Sequence, residues 1–274
     1  MTKKNLSNIA IHTITNRPWT TEQCIDAYSK AGIGGITFWR YSFEDRDPKK
    51  VGDQARDSGL VVVSVARGGF FAAESKEDRD KAIDDNKRAI DETHSVGAPS
   101  LVLVCGSNKH QRLNTSRNQI QDGIAECLDH AKDAGVILAI EPLHPMYASE
   151  RSAVNSMAQA NTICENLENH PNVGIALDVY HTWWDDNLKE EIARSLNNGN
   201  LSSYHICDWL SPMEDMLNDR GLMGEGSIDV DQISGWVMES GFTGFHEVEI
   251  FSERWWKTDQ HDYLNKIISY FDKN

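Results

Sequence analysis

Four residues that can bind a metal ion stand at the ends of four apolar segments in the second half of the chain. Each segment has the length and composition of a buried β-strand and finishes on an acid or a histidine. Counted from the start of its segment, the metal-capable residue is fifth or sixth in every case. In chain order these residues are Glu141, Asp178, His205 and Glu249.

Their matched depth predicts that the four residues share one metal ion. Three carboxylates gathered away from water repel one another, and their burial is costly without a compensating cation. A divalent ion removes this cost. Three oxygen ligands with one imidazole favour Mn²⁺ or Mg²⁺ over a thiolate-seeking metal, with Co²⁺ and Zn²⁺ as alternatives, and we expect Mn²⁺.

The eighth apolar segment carries a second acid, Glu247, two residues before Glu249. Side chains alternate along a strand, so both acids are predicted to point into the interior. Depth favours Glu249 as the ligand, and Glu247 stays open as an alternative ligand. If Glu247 lies one layer deeper, it needs a partner such as Arg67 or His12, or a retained proton.

A fold must bring the ends of several strands to one place for these residues to meet. The chain alternates short apolar or β-branched segments with segments whose apolar residues recur every three or four positions, which indicates eight strand–helix pairs. The predicted strands cover residues 9–14, 35–39, 60–66, 101–105, 136–141, 173–178, 201–207 and 244–250. The clearest predicted helices cover residues 21–31, 76–96, 120–134 and 153–169.

Eight such pairs without an intervening linker predict an α/β fold, a single (β/α)8 TIM barrel over residues 1–274. Thr20 with Gln23 and Ser75 with Asp78 match helix-start patterns, and glycines stand where helices should end. An open doubly wound sheet is the alternative, but the sequence lacks the Gly-rich phosphate loop that such sheets normally carry. Active sites of barrels lie at the carboxyl ends of the strands, where the four residues stand.

Composition is that of a soluble globular protein, with 39% apolar and 25% charged residues. A net charge of −15 would repel a phosphate backbone, so no nucleic-acid partner is expected. No apolar run reaches the roughly 18 residues of a membrane span, and the N-terminus lacks a signal peptide's apolar segment, so we expect a cytoplasmic protein without a membrane partner. The five scattered cysteines suggest neither disulfides nor a thiolate zinc site.

Motifs at the ends of strands five to eight resemble those of the sugar phosphate isomerase/epimerase family of xylose isomerase-like barrels. The motifs are AIEPLH, ALDVYH, YHICD and GFHEVEIF. The resemblance spans essentially the whole chain and implies a metal-dependent enzyme for a small-molecule sugar or sugar derivative. It also implies a homo-oligomer, because relatives are often dimers or tetramers. It does not name the sugar, since the family holds epimerases, inosose-processing enzymes, dehydratases, endonucleases and lyases.

In the ketose 3-epimerases of this family, the strand-five and strand-eight glutamates are both metal ligands and proton-transfer groups. The resemblance therefore implies that Glu141 and Glu249 flank the reacting carbon. One carboxylate would remove the proton next to a carbonyl, and the other would return one from the opposite face. The metal would acidify that C–H bond and stabilise the enediolate. His181, three residues after Asp178, matches a substrate-contacting histidine and is the third catalytic candidate.

The sequence departs from the ketose epimerases at two substrate-binding positions. An arginine expected six residues after His205 is Ser211, and Arg220 could take its place. A glutamate expected six residues after Glu141 is Tyr147. Simple ketohexose epimerisation is therefore in doubt.

Further residues that follow predicted strands are candidates for binding substrate. Arg40 and Lys109 could bind a phosphate, carboxylate or hydroxyl group. His144 could bind substrate or cap its loop. Tryptophan rings could cover the C–H side of a sugar, and we place Trp39 and Trp184 in the site. The other tryptophans in such positions are Trp183, Trp209, Trp255 and Trp256.

The function we favour is a divalent-metal-dependent sugar isomerase or epimerase that abstracts a proton next to a carbonyl of a keto-sugar or derivative. The first alternative is a metal-dependent lyase or hydrolase on a 3-keto-glycoside or cyclitol, because the same proton removal can lead to elimination. The second is a noncatalytic sugar-binding subunit. Retention of all four predicted ligands argues against that alternative, since binding a sugar needs no metal.

Overall fold

The computed structural model describes residues 6–272 and shows a closed barrel of eight parallel strands. Each strand pairs with the next along the chain, and the last pairs with the first. The predicted TIM barrel is confirmed, and the open sheet is wrong. Strands β1 to β8 are Ile9–His12, Gly35–Trp39, Val61–Gly69, Ser100–Val104, Ile137–Glu141, Val173–Asp178, Leu201–Ile206 and His246–Val248.

Helices follow the strands and pack on the outside of the barrel, where the largest apolar core lies. Helices α1 to α10 are Thr21–Ala31, Pro48–Asp57, Lys76–Val96, Leu113–Ala134, Met157–Asn166, Val179–Thr182, Leu188–Asn197, Val230–Glu239, Glu253–Trp256 and Gln260–Phe271. An antiparallel ribbon, Asp208–Trp209 with Arg220–Gly221, lies between β7 and α8. Within residues 6–272, no helix has both the length and the apolar character that crossing a membrane requires.

Side-chain caps set the helix starts that the sequence predicted. The Thr20 hydroxyl accepts a hydrogen bond from the Gln23 amide, while the Gln23 side chain accepts one from the Thr20 amide. Ser75 caps α3 by accepting from the Asp78 amide. These bonds satisfy amides that have no partner inside the helix.

Boundaries differ from the predictions where the apolar pattern is weak. Helix α4 begins at Leu113 rather than residue 120, because its first two turns are mostly polar and carry little periodicity. Helix α5 begins at Met157 rather than residue 153, where Ser156 provides the cap. Strand β1 ends at His12 and β8 at Val248, so both are shorter than predicted.

Small side chains fill the interior beneath the strand-end acids. Ala139 and Ala176 pack with Ala66 and Val102 in a small cluster inside the barrel, and all four are buried. Ser203 is buried as well. These small residues leave the space above them to the longer polar side chains at the strand ends.

Two glycines inside helices predict opposite effects of one substitution. A Cβ at Gly52 in α2 would lie 2.0 Å from the carbonyl oxygen of Val96, so Gly52→Ala should lower the free energy of unfolding by about 1–3 kcal/mol. Gly235 in α8 has no atom within 4 Å of its Cβ position, so Gly235→Ala should raise that free energy by about 0.5–1 kcal/mol. Chemical denaturation measures both. Equal stabilisation by the two substitutions would contradict the close packing of α2 on Val96.

Candidate active site

The four metal-capable residues converge at the carboxyl end of the barrel. One ligand atom from each lies within 4.8 Å of those from the other three. Glu141 and Asp178 end β5 and β6, His205 is the penultimate residue of β7, and Glu249 follows β8 directly. All four are buried. The strand ends therefore bring together the imidazole and the three carboxylates that the sequence singled out.

The donor atoms of this cluster fit a divalent ion. Glu141 Oε1 and both ring nitrogens of His205 are buried and have no hydrogen-bond partner among residues 6–272. His205 Nδ1 lies 3.3 Å from Glu141 Oε1 and 3.8 Å from Glu249 Oε2, and neither contact is a hydrogen bond. Buried polar atoms without partners are costly, and an ion bound by Glu141 and by one ring nitrogen of His205 would remove part of that cost.

Glu247 lies in a deeper layer and is held by hydroxyl groups and by His12. Its Oε2 accepts hydrogen bonds from Thr37 and Ser64 at 2.6 and 2.9 Å. His12 Nε2 lies 3.3 Å from the same oxygen, while His12 Nδ1 lies 2.9 Å from Glu249 Oε1. His12 therefore bridges the two acids of the last strand, and it is the partner that Glu247 needs.

Ion pairing outweighs burial in setting the charges of this layer. Burial lowers the pKa of His12, but Glu249 and Glu247 outweigh it and the pKa is raised. Burial also opposes protonation of His205, yet the Glu141 carboxylate and the other acids raise its pKa to about 10. Burial raises the pKa of Glu249, but His12 is the main group that brings it well below the ordinary value. Glu247 and Glu249 are thus stabilised as anions, chiefly by His12.

Arg220 adds a guanidinium to the cluster. It stands on the ribbon between β7 and α8, and its Nη1 donates to Asp178 Oδ2 at 2.8 Å and to Glu249 Oε2 at 3.0 Å. The group lies over the rings of Tyr180 and Phe251, at 4.5 and 4.9 Å. Burial raises the pKa of Asp178 to about 6, although Arg220 opposes this. Arg220 therefore lies beside the predicted metal ligands, where the sequence analysis expected it.

Asp178 positions His181 as well as offering a ligand atom. Its side chain caps the short helix α6 by accepting from the Tyr180 amide at 2.8 Å, so His181 follows within the same turn. His181 Nε2 lies 3.3 Å from Arg220 Nη2, and its Nδ1 has no partner in the described part of the chain. Burial, with Arg220, lowers the pKa of His181 well below its ordinary value, so its ring is neutral.

A narrow pocket opens onto this cluster. Besides Glu141, Glu249, His181 and Arg220, its walls include Tyr147, Arg151, Leu217 and Phe251, which the sequence reasoning did not assign to the site. The free volume is only about 20 Å³, room for about one water molecule. The Tyr147 hydroxyl donates to the carbonyl oxygen of Met216. A sugar can therefore enter only if the walls of the pocket move.

Two predicted substrate-binding cations are not among the residues that line this pocket. Arg40 follows β2, but its guanidinium is held by Glu92 and Asp85 of α3 at 2.6 and 2.9 Å. Lys109 follows β4 in an exposed part of the loop. Both positions were inferred from the strand ends alone, which do not tell where the following loop points.

The predicted aromatic residues divide between the pocket and its rim. Trp39 lines the pocket and meets Phe251 edge-on at 5.2 Å. Trp184 is 38% exposed, and its Nε1 donates to the carbonyl oxygen of His181. His144 lies 5.9 Å from Trp184, and its Nδ1 accepts the Met146 amide, which is the loop-capping alternative.

The remaining tryptophans pack against other rings or the backbone. Trp183 and Trp209 lie 5.7 Å apart beside the site. Trp255 stacks on Tyr263 at 4.8 Å, and Trp256 donates to backbone carbonyls after β1. These contacts are the loop and helix packing that was the alternative to sugar binding.

Comparison with known proteins gives consistent matches over most of the chain. Protein SMc04130 from Sinorhizobium meliloti 1021, a solved structure, is 42% identical, with a TM-score of 0.94 over 98% of both chains. L-ribulose-5-phosphate 3-epimerase UlaE of Salmonella typhi is 24% identical over 237 residues, 80% of this chain and 79% of the relative. The IOLI protein with a binding zinc atom is 20% identical, with a TM-score of 0.82 over 96% of this chain and 95% of the other, which shows a shared fold.

A family model described as a xylose isomerase-like TIM barrel matches residues 25–273. This range takes in seven of the eight strands and every strand-end residue of the cluster. The chain therefore belongs to the xylose isomerase-like TIM barrel family, as the motifs on its last four strands predicted.

Proposed function

We propose that the protein is a divalent-metal-dependent sugar isomerase or epimerase that removes a proton next to the carbonyl of a keto-sugar or derivative. The observation that carries the proposal is the buried cluster in which Glu141 and Glu249 meet Asp178 and His205. The UlaE relative, which is named as a sugar epimerase, and the zinc-binding IOLI protein support it. A cytoplasmic location and a homo-oligomeric state stay predictions.

Glu141, Asp178, His205 and Glu249 would hold the ion. When bound, the ion polarises the carbonyl and a neighbouring hydroxyl of the substrate, which acidifies the C–H bond between them. We propose manganese because oxygen donors dominate the set, and zinc is the alternative that the IOLI likeness favours.

The two glutamates are the proposed proton-transfer groups. Both line the pocket and lie in the same cluster, so each can reach a substrate carbon held there. One removes the proton and the other returns one from the opposite face. His181 donates a hydrogen bond to a substrate oxygen, and Arg220 supplies positive charge beside it. Trp39 covers the apolar side of the sugar.

A lyase or hydrolase acting on a 3-keto-glycoside or cyclitol is the second candidate. The aromatic rim favours it, because His144 lies 5.9 Å from Trp184 and 4.9 Å from Trp209 just outside the pocket. This rim offers a platform for a substituent larger than a monosaccharide carries. We propose that Trp184 and His144 contact such a substituent.

Solvent exchange separates the candidate reactions. Manganese-loaded protein in D₂O would be incubated with ketoses, keto-glycosides and cyclitols. We expect deuterium next to the carbonyl with the carbon skeleton intact, which nuclear magnetic resonance detects. Loss of a substituent would point to the lyase instead. Bound metal without exchange in any substrate would favour a noncatalytic subunit.

Glu247 and Glu249 provide a matched pair of substitutions on one strand. Glu249→Gln removes a proton-transfer group and should reduce the exchange rate by about 10²- to 10⁴-fold. Glu247→Gln should keep exchange but lower the free energy of unfolding by about 1–3 kcal/mol, since it weakens the bonds from Thr37, Ser64 and His12. Exchange rates and denaturation curves test both. Wild-type activity in Glu249→Gln would refute the assignment.

His12 should act as a positioning residue for Glu249. His12→Gln removes the contact at 2.9 Å that orients this carboxylate, so metal affinity should fall about 10- to 100-fold, the usual effect of losing such a supporting contact. Calorimetric titration with Mn²⁺ measures the affinity. His246→Gln is the control, because His246 packs against Tyr204 at 5.2 Å and away from the cluster. Equal affinities in His12→Gln and wild type would contradict this role.

A further inference from the structure

We propose that Arg67 and Arg151 form an anion-binding subsite at the mouth of the pocket. The substrate that fits this subsite carries a phosphate or carboxylate group. The inference rests on the proposed function, because the subsite belongs to the same pocket. It goes beyond that function by giving the chemical class of the sugar derivative.

Both arginines lie beside aromatic walls of the pocket. Arg151 lines the pocket, and its guanidinium lies 5.6 Å from the ring of Tyr147. Arg67, near the end of β3, lies 4.4 Å from the ring of Phe70 and 5.9 Å from that of Trp39. Trp39 and Tyr147 are both wall residues. The two guanidinium groups therefore border one opening.

Within residues 6–272, the two guanidinium groups contact rings but no carboxylate. Arg40, Arg194 and Arg220, by contrast, each pair with two acids. Burial is the main reason that the pKa of Arg67 falls to about 10, and the like charge of Arg151 adds to it. Two half-buried like charges that repel each other are unfavourable until an anion joins them.

Three of the four buried acids have other partners, and Glu141 attracts Arg67 without contacting it. Asp178 and Glu249 pair with Arg220, and Glu247 lies against His12. A bound divalent ion would add further positive charge to the same cluster. The charge of Arg67 and Arg151 is therefore left for a group from outside the protein, in a chain whose net charge is −15.

The chemistry of guanidinium selects the class of ligand. Its planar fork of N–H donors matches two oxygens of a phosphate or carboxylate. An aromatic face beside it fixes the plane and leaves the N–H edge for a ligand. A neutral polyol would give hydrogen bonds but would not neutralise two charges. A sugar phosphate and a sugar acid share the required anion.

Matched substrates test the subsite. Solvent exchange with manganese-loaded protein would compare a ketopentose, its 5-phosphate and a keto-sugar with a terminal carboxylate. We expect kcat/KM to be at least about tenfold higher for one of the anionic substrates, from hydrogen bonds to a charged group. The anionic substrate with the higher kcat/KM shows whether the subsite prefers a phosphate or a carboxylate.

Substitutions test whether Arg67 and Arg151 cause the preference for an anionic substrate. Arg67→Gln and Arg151→Gln should each reduce the ratio of kcat/KM for the anionic substrate to kcat/KM for the neutral ketose by about 10- to 100-fold. The Arg→Lys variants keep the charge and serve if either glutamine variant folds poorly. Arg88→Gln, on the exposed face of α3, is the matched control and should leave the preference intact.

The outcomes separate this proposal from the one on which it rests. Equal exchange of neutral and anionic substrates would overturn the subsite and leave the isomerase or epimerase function standing. If no substrate exchanges, the isomerase or epimerase function fails. Calorimetric titration with inorganic phosphate then tests the subsite by itself. Binding by the wild type that both glutamine variants lose would support the subsite, and no binding by the wild type would overturn it.

Discussion

Four carboxylates are buried at the mouth of this barrel, and the surrounding residues are arranged to compensate their charge. A buried acid without a partner is strongly destabilising, so each needs a cation or donors in fixed positions. His12, on the inner side of the cluster, balances the charge of Glu247 and Glu249. Arg220, on the ribbon, balances that of Asp178 and Glu249. His12 and Glu249 come from opposite ends of the chain and meet because β1 pairs with β8. The contact between His12 and Glu249 therefore requires the closed barrel.

The connection after β7 is folded so that Arg220 lies beside the buried acids. Asp208 accepts hydrogen bonds from the amides of Gly224, Gly226 and Ile228, which fold the segment back onto the start of the ribbon. Gly224 has a φ of +86°, and a Cβ at Gly226 would lie 2.1 Å from a backbone carbonyl oxygen. Only glycine fits these two positions without strain. The ribbon held in this way places Arg220 between two acids that come from different strands.

The sequence predicts best what depends on local periodicity and on strand ends. Glu141 and Asp178 stand at the exact points where apolar segments stop, so their meeting follows from parallel strands alone. Arg40 also follows a strand, but acids on α3 hold it outside the pocket. The pattern around Arg40 and Arg67 does not reveal which arginine faces the opening, because loop direction depends on distant partners. Arg151 was missed for the same reason, since it lies well beyond the end of β5.

The narrow pocket affects both the entry of a substrate and the exclusion of water. A free volume of about 20 Å³ leaves no space for a sugar, so the walls of the pocket, which include Leu217, have to shift before one can enter. A pocket this narrow holds little water, which strengthens the fields of the buried charges around it. The Tyr147 hydroxyl donates to the carbonyl oxygen of Met216, and its ring packs beside Arg151. The anion site proposed at Arg151 therefore adjoins the hydrogen bond between Tyr147 and Met216.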